Sequence, residues 1–599
     1  MKHLVLAALI AVSATPVAAA AQSPAPAMQA STALALIIDD YEAFRTRSEP
    51  GEAAREGDRA ARSRLADVSL AADQQRAREL KALKARLDAL PAAQLNPKDR
   101  LNRDLLDWSL EDQLGSLAFD EARQPFTAYE SFDGGLEDSA GETRFERRSD
   151  VEAYLARMGQ VARLYAQETE NARRGLATGF VQPKLVVEVT LVTARKQAAE
   201  TDADSRWLTP FAHLPASVSA EEGAALKAKA LDILNTQIRP AQKAYVAFLE
   251  REYLPKARVS LAARDLPDGE RYYAFLVHRH TTTAMTPDEV HRLGEAEVAR
   301  IRREMDRIIA ETGFKGSFPE FLAYLRTDPQ FYAKSREELF RTYTEIAKRI
   351  DGELPREFGL LPRLTYGVKP TPAAVEEHAT TAYYNEGSPA IGRSGTFTVN
   401  LSHLDQRPLY EAPTLTLHEA VPGHHLQIAL AQEQPDQPRF RRSLGFTAFV
   451  EGWALYGEQL GGELNVYRTP YERFGQLSYE MWRACRLVAD TGIHWLRWSR
   501  DEAKACFLHN TALAPHNIDV EVDRYISWPG QALGYKIGEL RLMALRKEAE
   551  ARLGERFDVR RFHDAVLLGG ALPLDMVEAR VRAWIAEEAA KPAKSGAAS

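Results

Sequence analysis

The sequence predicts a mainly α-helical protein with one small β-sheet, and three observations carry that prediction. Over most of its 599 residues, apolar side chains recur at spacings of three and four among many charges, the period of a helix with one buried face. Those segments open on capping residues and close on Pro or Gly. One stretch only, Leu364–Ser402, exchanges Ala, Glu and Arg for Gly, Pro, Thr, Tyr and Val. Hydrophobic residues make up 45% of the chain, ordinary for a globular enzyme.

Residues 1–21 read as a secretory signal peptide: a short basic start at Met1-Lys2-His3, an apolar run from Leu4 to Val12, and small residues at Ala18–Ala21. The compartment expected is the periplasm or the exterior, with no Cys at the cleavage site to carry a lipid anchor. Residues 22–33 are rich in Ala, Pro and Ser and are predicted to be disordered. No later run of about 20 apolar residues could span a bilayer.

Residues 34–260 form a predicted N-terminal helical lobe. Its helices are expected over Ala60–Leu90, Pro97–Leu117, Asp150–Leu176, Lys184–Glu200 and Ala220–Leu254, the last kinked or broken at Pro240. Gln124–Thr143, rich in Gly and acids, is read as a loop. Leu254–Arg271, with Pro255, Pro267 and Gly269, marks the boundary to a second lobe over 261–590. There Thr286-Pro287-Asp288-Glu289 is a helix start, with Thr286 as N-cap, Pro287 at the first helical position and Glu289 closing a capping box. His291 on that helix is expected to pack or face water. Ser335 caps a helix over 336–349, with Glu338 at its third position. Thr396–Leu401 alternates as a strand should. From Glu411 the pattern is helical again, and residues 591–599 read as a frayed tail. Cys485 and Cys506, the chain's two cysteines, could form one bridge or remain thiols.

The chemistry concentrates in Leu417-His418-Glu419-Ala420-Val421-Pro422-Gly423-His424-His425-Leu426-Gln427. Imidazole is a preferred ligand of zinc, and a Glu beside a ligating His is where metallohydrolases keep a general base. The usual spacing of two His at i and i+4 is absent, because Pro422 stands at i+4 from His418. On a straight helix neither His424 nor His425 could share an ion with His418. Pro removes a backbone donor and Gly tolerates unusual dihedrals, so one helix distorted at Pro422-Gly423 is predicted, bringing a second His back beside His418. Without a metal, the same residues would be solvated and packed histidines around a kink.

His418-Glu419-Ala420-Val421-Pro422-Gly423-His424-His425 resembles the signature of the bacterial family catalogued as domain of unknown function 885, regarded as gluzincin-like zinc metallopeptidases. The resemblance covers most of the mature chain and is strongest over 279–305, 395–457 and 490–573. It implies a large two-lobed helical fold similar in layout to angiotensin-converting enzyme, thimet oligopeptidase and the thermostable carboxypeptidases, with a small sheet beside the zinc helix. Dipeptidyl peptidase III offers an analogy for a motif lengthened between its histidines. The resemblance favours His424 over His425 as second ligand.

Two histidines require a third protein ligand, with one position left for water. Glu451 lies 27 residues beyond His424 in the apolar segment Phe449–Glu458, where a carboxylate is costly to bury without a partner. The resemblance places the ligand at the same Glu. Glu458, two turns on, suits a carboxylate that orients a ligand His. Glu419 would take the water's proton and pass it to the leaving amine. Donors to the oxyanion are sought in Tyr525, Tyr535 and His494, and Arg524 or Lys536 could bind a substrate carboxylate. The strand Thr396–Leu401 is assigned as an edge that pairs with substrate backbone, Asn400 being its substrate-binding candidate. The bland alternative is a strand that only buttresses the helix.

The expected function is therefore zinc-dependent peptide hydrolysis, with Zn2+ as cofactor and a peptide as substrate. The alternatives are a metal-dependent amidase on a non-peptide or cell-wall substrate and a non-catalytic periplasmic binding protein with a degenerate site. A net charge of −7 with no basic stripe disfavours nucleic acid. G-x-S-x-G, P-loop and dinucleotide fingerprints do not occur.

Overall fold

A computed structural model describes residues 26–591, apart from 129–130, 373–375, 377–379, 390–391, 435–436 and 443. The expected signal peptide and all but Lys591 of the expected tail lie outside the described residues. Helices dominate, and one three-stranded sheet accompanies them. No helix among the described residues is long and apolar enough to cross a membrane.

Two of the hydrophobic cores are large, and each draws on both halves of the chain. One joins the helices between Val151 and Leu325 to Tyr410 and the stretch Phe474–Ala532. The other joins Ala30–Leu110 to Leu339–Ile585 and encloses Leu417, Ala420, Val421, Trp453 and Tyr456 around the motif. The long helices Pro287–Thr312 and Pro470–His494 lie along each other, as do Thr447–Leu460 and Gly534–Leu553. The second pair approaches to backbone contact: a Cβ on Gly538 would stand 1.8 Å from the Ala448 carbonyl O. Only glycine permits that approach.

The start signals hold. Thr286 and Glu289 form the expected capping box, and the helix runs from Pro287 to Thr312. Ser335 caps Arg336–Glu357 through the Glu338 N–H. Pro240 follows a widened turn, Leu234–Ile238, inside the long helical stretch from Ala220. His291 is buried against Trp498, with Nδ1 at 2.7 Å from Thr491 Oγ1, a packing role. Cys485 and Cys506 form a disulfide that ties Pro470–His494 to Arg500–Asn510.

Several expectations need correction. Residues 26–33 are not disordered: Pro26–Ser48 is one helix, and Ala30, Leu34, Ile37, Ile38, Tyr41 and Phe44 bury its apolar stripe in the second core. The composition of the first residues masked a periodicity that continues through them. The loop expected over 124–143 contains a helix, Phe132–Glu142, capped by Ser131 and held by Gln242 Nε2 donating to Glu137 Oε1 at 2.9 Å. The helix expected from Ala60 starts at Leu70, behind Ser69, and that expected over 150–176 breaks at Gly159-Gln160.

The sheet consists of β1 (Tyr366–Pro370), β2 (Ala382–Asn385) and β3 (Gly395–Val399), in the order β1-β3-β2. β3 pairs parallel to β1 and antiparallel to β2, with Phe397 opposite both Val368 and Tyr384. The strand read as an edge is thus the centre of the sheet. Its backbone groups are taken on both sides, so it offers no free edge to a substrate. Phe397 and Val399 are fully buried, with Phe397 edge-on to Tyr343.

Candidate metal centre

The motif is two helices and a tight turn rather than one distorted helix. Ala412–Glu419 ends at Ala420, and His424–Gln432 begins behind Gly423. The Val421–Pro422 peptide between them is cis. The Gly423 N–H donates to the Leu417 carbonyl at 2.9 Å, and the His425 N–H to that of Ala420 at 3.0 Å. Trp453 Nε1 donates to the Pro422 carbonyl at 2.8 Å, fixing the turn to the helix Thr447–Leu460. Gly423 is required by space: a Cβ there would lie 1.9 Å from the His418 carbonyl O.

This turn brings His424 back to His418, their rings 4.8 Å apart and nearly perpendicular. Glu451 Oε2 lies 3.5 Å from Nε2 of each. The three donor atoms fall within 4.8 Å of one another. Glu451 Oε2 is buried and, among the described residues, has no closer polar partner than these two imidazoles. Although burial opposes it, the His424 and His418 imidazoles hold Glu451 well below the usual carboxylate range. Burial likewise opposes charge on His418, but Glu451 and Glu458 push it up to about 9.

The surrounding groups set the tautomers. His418 Nδ1 donates to Glu458 Oε1 at 2.8 Å, which directs Nε2 into the cluster. Glu458 is itself buried and lies 3.5 Å from Arg483 Nη2. Gln427 Nε2 donates to the Val450 carbonyl at 2.8 Å and stands 3.0 Å from His424 Nδ1, while its Oε1 has no partner among the described residues. For His424 to offer an Nε2 lone pair, its proton must sit on Nδ1, and the Gln427 side chain must rotate away, giving up its Nε2 contacts with that nitrogen and with the Val450 carbonyl. With that one adjustment, two imidazole nitrogens and a carboxylate oxygen make a donor set that fits zinc with an open position.

Glu419 extends from the end of the first helix beside this cluster. Among the described residues its carboxylate has no hydrogen bond, and burial, with Glu451, raises its affinity for a proton. His425 turns away: Nε2 donates to the Leu364 carbonyl at 3.1 Å and Nδ1 meets the Tyr384 hydroxyl at 2.9 Å. Burial lowers it to about 4. It pins the sheet to the motif and leaves His424 as the second histidine of the cluster.

The outer candidates fare differently. Asn400 is wholly buried; its Nδ2 donates to the Glu376 and Thr380 carbonyls and its Oδ1 accepts from Ser402. It shapes a loop and is not open to substrate. His494 is also fully buried, with Nδ1 accepting from the Ala263 N–H and Nε2 donating to the Tyr525 carbonyl. Both ring nitrogens are used, so it is no donor to an intermediate. The Tyr525 hydroxyl donates to Glu521 at 2.6 Å and accepts from Arg486 and Trp482, which saturates it. Tyr535 lies under Arg486 and accepts from Arg524 at 3.3 Å. Arg524 also meets Glu521 and Gln531. Neither tyrosine hydrogen-bonds to His418, Glu419, His424 or Glu451. Lys536 is enclosed by Glu480, Glu539 and Glu297, which removes it as a substrate anchor. Sequence reasoning missed Gln427, Arg483 and Trp453. Gln427 was accessible, since i+3 on a helix returns to the same face as His424.

Fold and cluster together define a mainly helical protein built around a partly buried His-His-Glu centre. The chain belongs to the family described as "Bacterial protein of unknown function (DUF885)", whose match covers residues 50–581. Among solved structures it is similar to a "putative lipoprotein" of Colwellia psychrerythraea, at 25% identity and a TM-score of 0.87, over 94% of this chain and 99% of that one. It shares its fold with a "putative lipoprotein of unknown function" of Shewanella oneidensis, at 19% identity and a TM-score of 0.72, over 93% and 99% of the two chains. No curated protein matches it significantly.

Proposed function

We propose that this protein is a zinc-dependent hydrolase cleaving peptide bonds outside the cytoplasm. The observation that carries the reading is the convergence of His418 Nε2, His424 Nε2 and Glu451 Oε2, with the Glu419 carboxylate beside them making no hydrogen bond among the described residues. His418, His424 and Glu451 would hold the ion. When bound, zinc supplies a Lewis acid that polarises a carbonyl and lowers the pKa of a water toward about 7. Glu458 keeps the His418 proton on Nδ1. Glu419, its proton affinity raised by burial, accepts the proton of the attacking water and returns it to the leaving nitrogen. The extracytoplasmic location is supported by the disulfide, which persists in oxidising compartments, and by the description of the similar structures as putative lipoproteins.

The test is a peptide-library digest read by mass spectrometry, with chelator and with zinc restored. The reading expects cleavage that chelator abolishes and zinc recovers, and a Glu419→Gln variant that binds zinc but is inactive. Cleavage unaffected by chelator, or retained in Glu419→Gln, would overturn it.

A further inference from the structure

Away from the motif lies a cavity of about 410 Å³, whose walls include Leu101, Gln437, Arg441, Leu568, Gly569 and Arg580. Gln437 and Arg441 belong to the segment joining the helix of His424 to the helix of Glu451. Arg441 is 7% exposed. Its Nη1 donates to Asn102 Oδ1 at 2.9 Å and its Nη2 to the Gly569 carbonyl. Gln437 Nε2 reaches the same carbonyl. Arg580 Nε donates to the Ala565 carbonyl at 2.8 Å, and its Cδ and Nε pass 3.5 Å from the place a Cβ on Gly569 would take. Two guanidinium groups thus converge on Gly569.

Every one of these partners is neutral. Among the described residues no carboxylate lies within ion-pair distance of Arg441 or Arg580, unlike Arg279, Arg486 or Arg546 elsewhere in the fold. Burial and the neighbouring Arg580 hold Arg441 down to about 10. Buried cations without a counter-ion are costly, and a guanidinium fork fits two oxygens of one oxyanion. Leu101 and Leu568 add apolar wall.

We propose that this cavity binds a small organic oxyanion, its charged end between Arg441 and Arg580 and its hydrocarbon part against Leu101 and Leu568. Carboxylate and phosphate share that chemistry. The test is calorimetric titration of the full chain at low ionic strength with hexanoate, hexyl phosphate, inorganic phosphate and, as neutral control, hexanol. Saturable binding of hexanoate or hexyl phosphate but not hexanol is expected, and whichever binds more tightly identifies the head group. Arg580→Gln, which leaves the Arg441 tether intact, should weaken binding by about tenfold or more. Three results would overturn the proposal: no saturable binding of either alkyl anion up to about 10 mM; inorganic phosphate binding as tightly as hexyl phosphate; or equal binding in wild type and in an Arg580→Gln variant that melts normally.

Discussion

Replacing Gly423 by alanine is predicted to disable the centre while leaving the fold standing. A methyl group on Gly423 would lie 1.9 Å from the His418 carbonyl O and 2.5 Å from that of Leu417. Ordinary contact begins at 3.4 Å, so going from 1.9 to 3.4 Å requires an opening of about 1.5 Å. Both clashing atoms are backbone and cannot swing aside. The turn is also closed by the Gly423, His425 and Trp453 donors, so opening it strains three hydrogen bonds. Inserting a methyl group into a packed site costs about 1–3 kcal/mol. Losing one of those bonds adds about 1 kcal/mol, for a total of about 2–4 kcal/mol. The displacement matters more for the centre, because a shift of about 1.5 Å is roughly three times what a preorganised site tolerates. His418 would move relative to His424, and zinc affinity should fall about 100-fold or more. The assay is competition with a chromogenic chelator, paired with urea unfolding. Gly445→Ala serves as control, since nothing lies within 4 Å of its added Cβ. A Gly423→Ala protein that binds zinc and unfolds like the control would refute the geometry of the turn.

Three further outcomes follow from the same structure. Glu458→Gln removes the charged acceptor of the His418 Nδ1 proton and should lower zinc affinity by about 10–100-fold, as chelator competition will show. In the metal-free protein His418 is raised to about 9, so it is protonated at neutral pH and must lose that proton to ligate. Apparent zinc affinity should therefore climb about tenfold per pH unit from pH 7 and level off near pH 9; a flat profile over that range in titrations would contradict the assignment. Replacing Cys485 and Cys506 by serine opens a loop with a sequence separation of 21, which should cost about 3 kcal/mol in urea unfolding, while wild type in reductant should shift the same way.

The helical class was legible because periodicity and capping are local: Thr286 with Glu289, and Ser335 with Glu338, need only their own neighbours. The cluster of His418, His424 and Glu451 was legible because His418, Glu419 and His424 share one motif and Glu451 sits in a segment too apolar for an idle carboxylate. The outer residues were not, because each polar group takes partners that sequence does not bring near. His494 is bound to Ala263, 231 positions away, and Lys536 to Glu480, 56 positions away. The same reason explains β3. Alternation predicts a strand over Thr396–Leu401, which in the structure ends at Val399, but whether it is edge or centre depends on β1 and β2 arriving on either side.

The most direct test of the central claim is metal content by mass spectrometry of the purified protein, alongside His418→Ala, His424→Ala, Glu451→Ala and His425→Ala. The geometry predicts about one zinc per chain, lost in the first three variants and kept in His425→Ala, whose ring is engaged by Leu364 and Tyr384. A wild-type protein that takes up no zinc even after incubation with it, or one whose zinc survives loss of Glu451, would contradict the account.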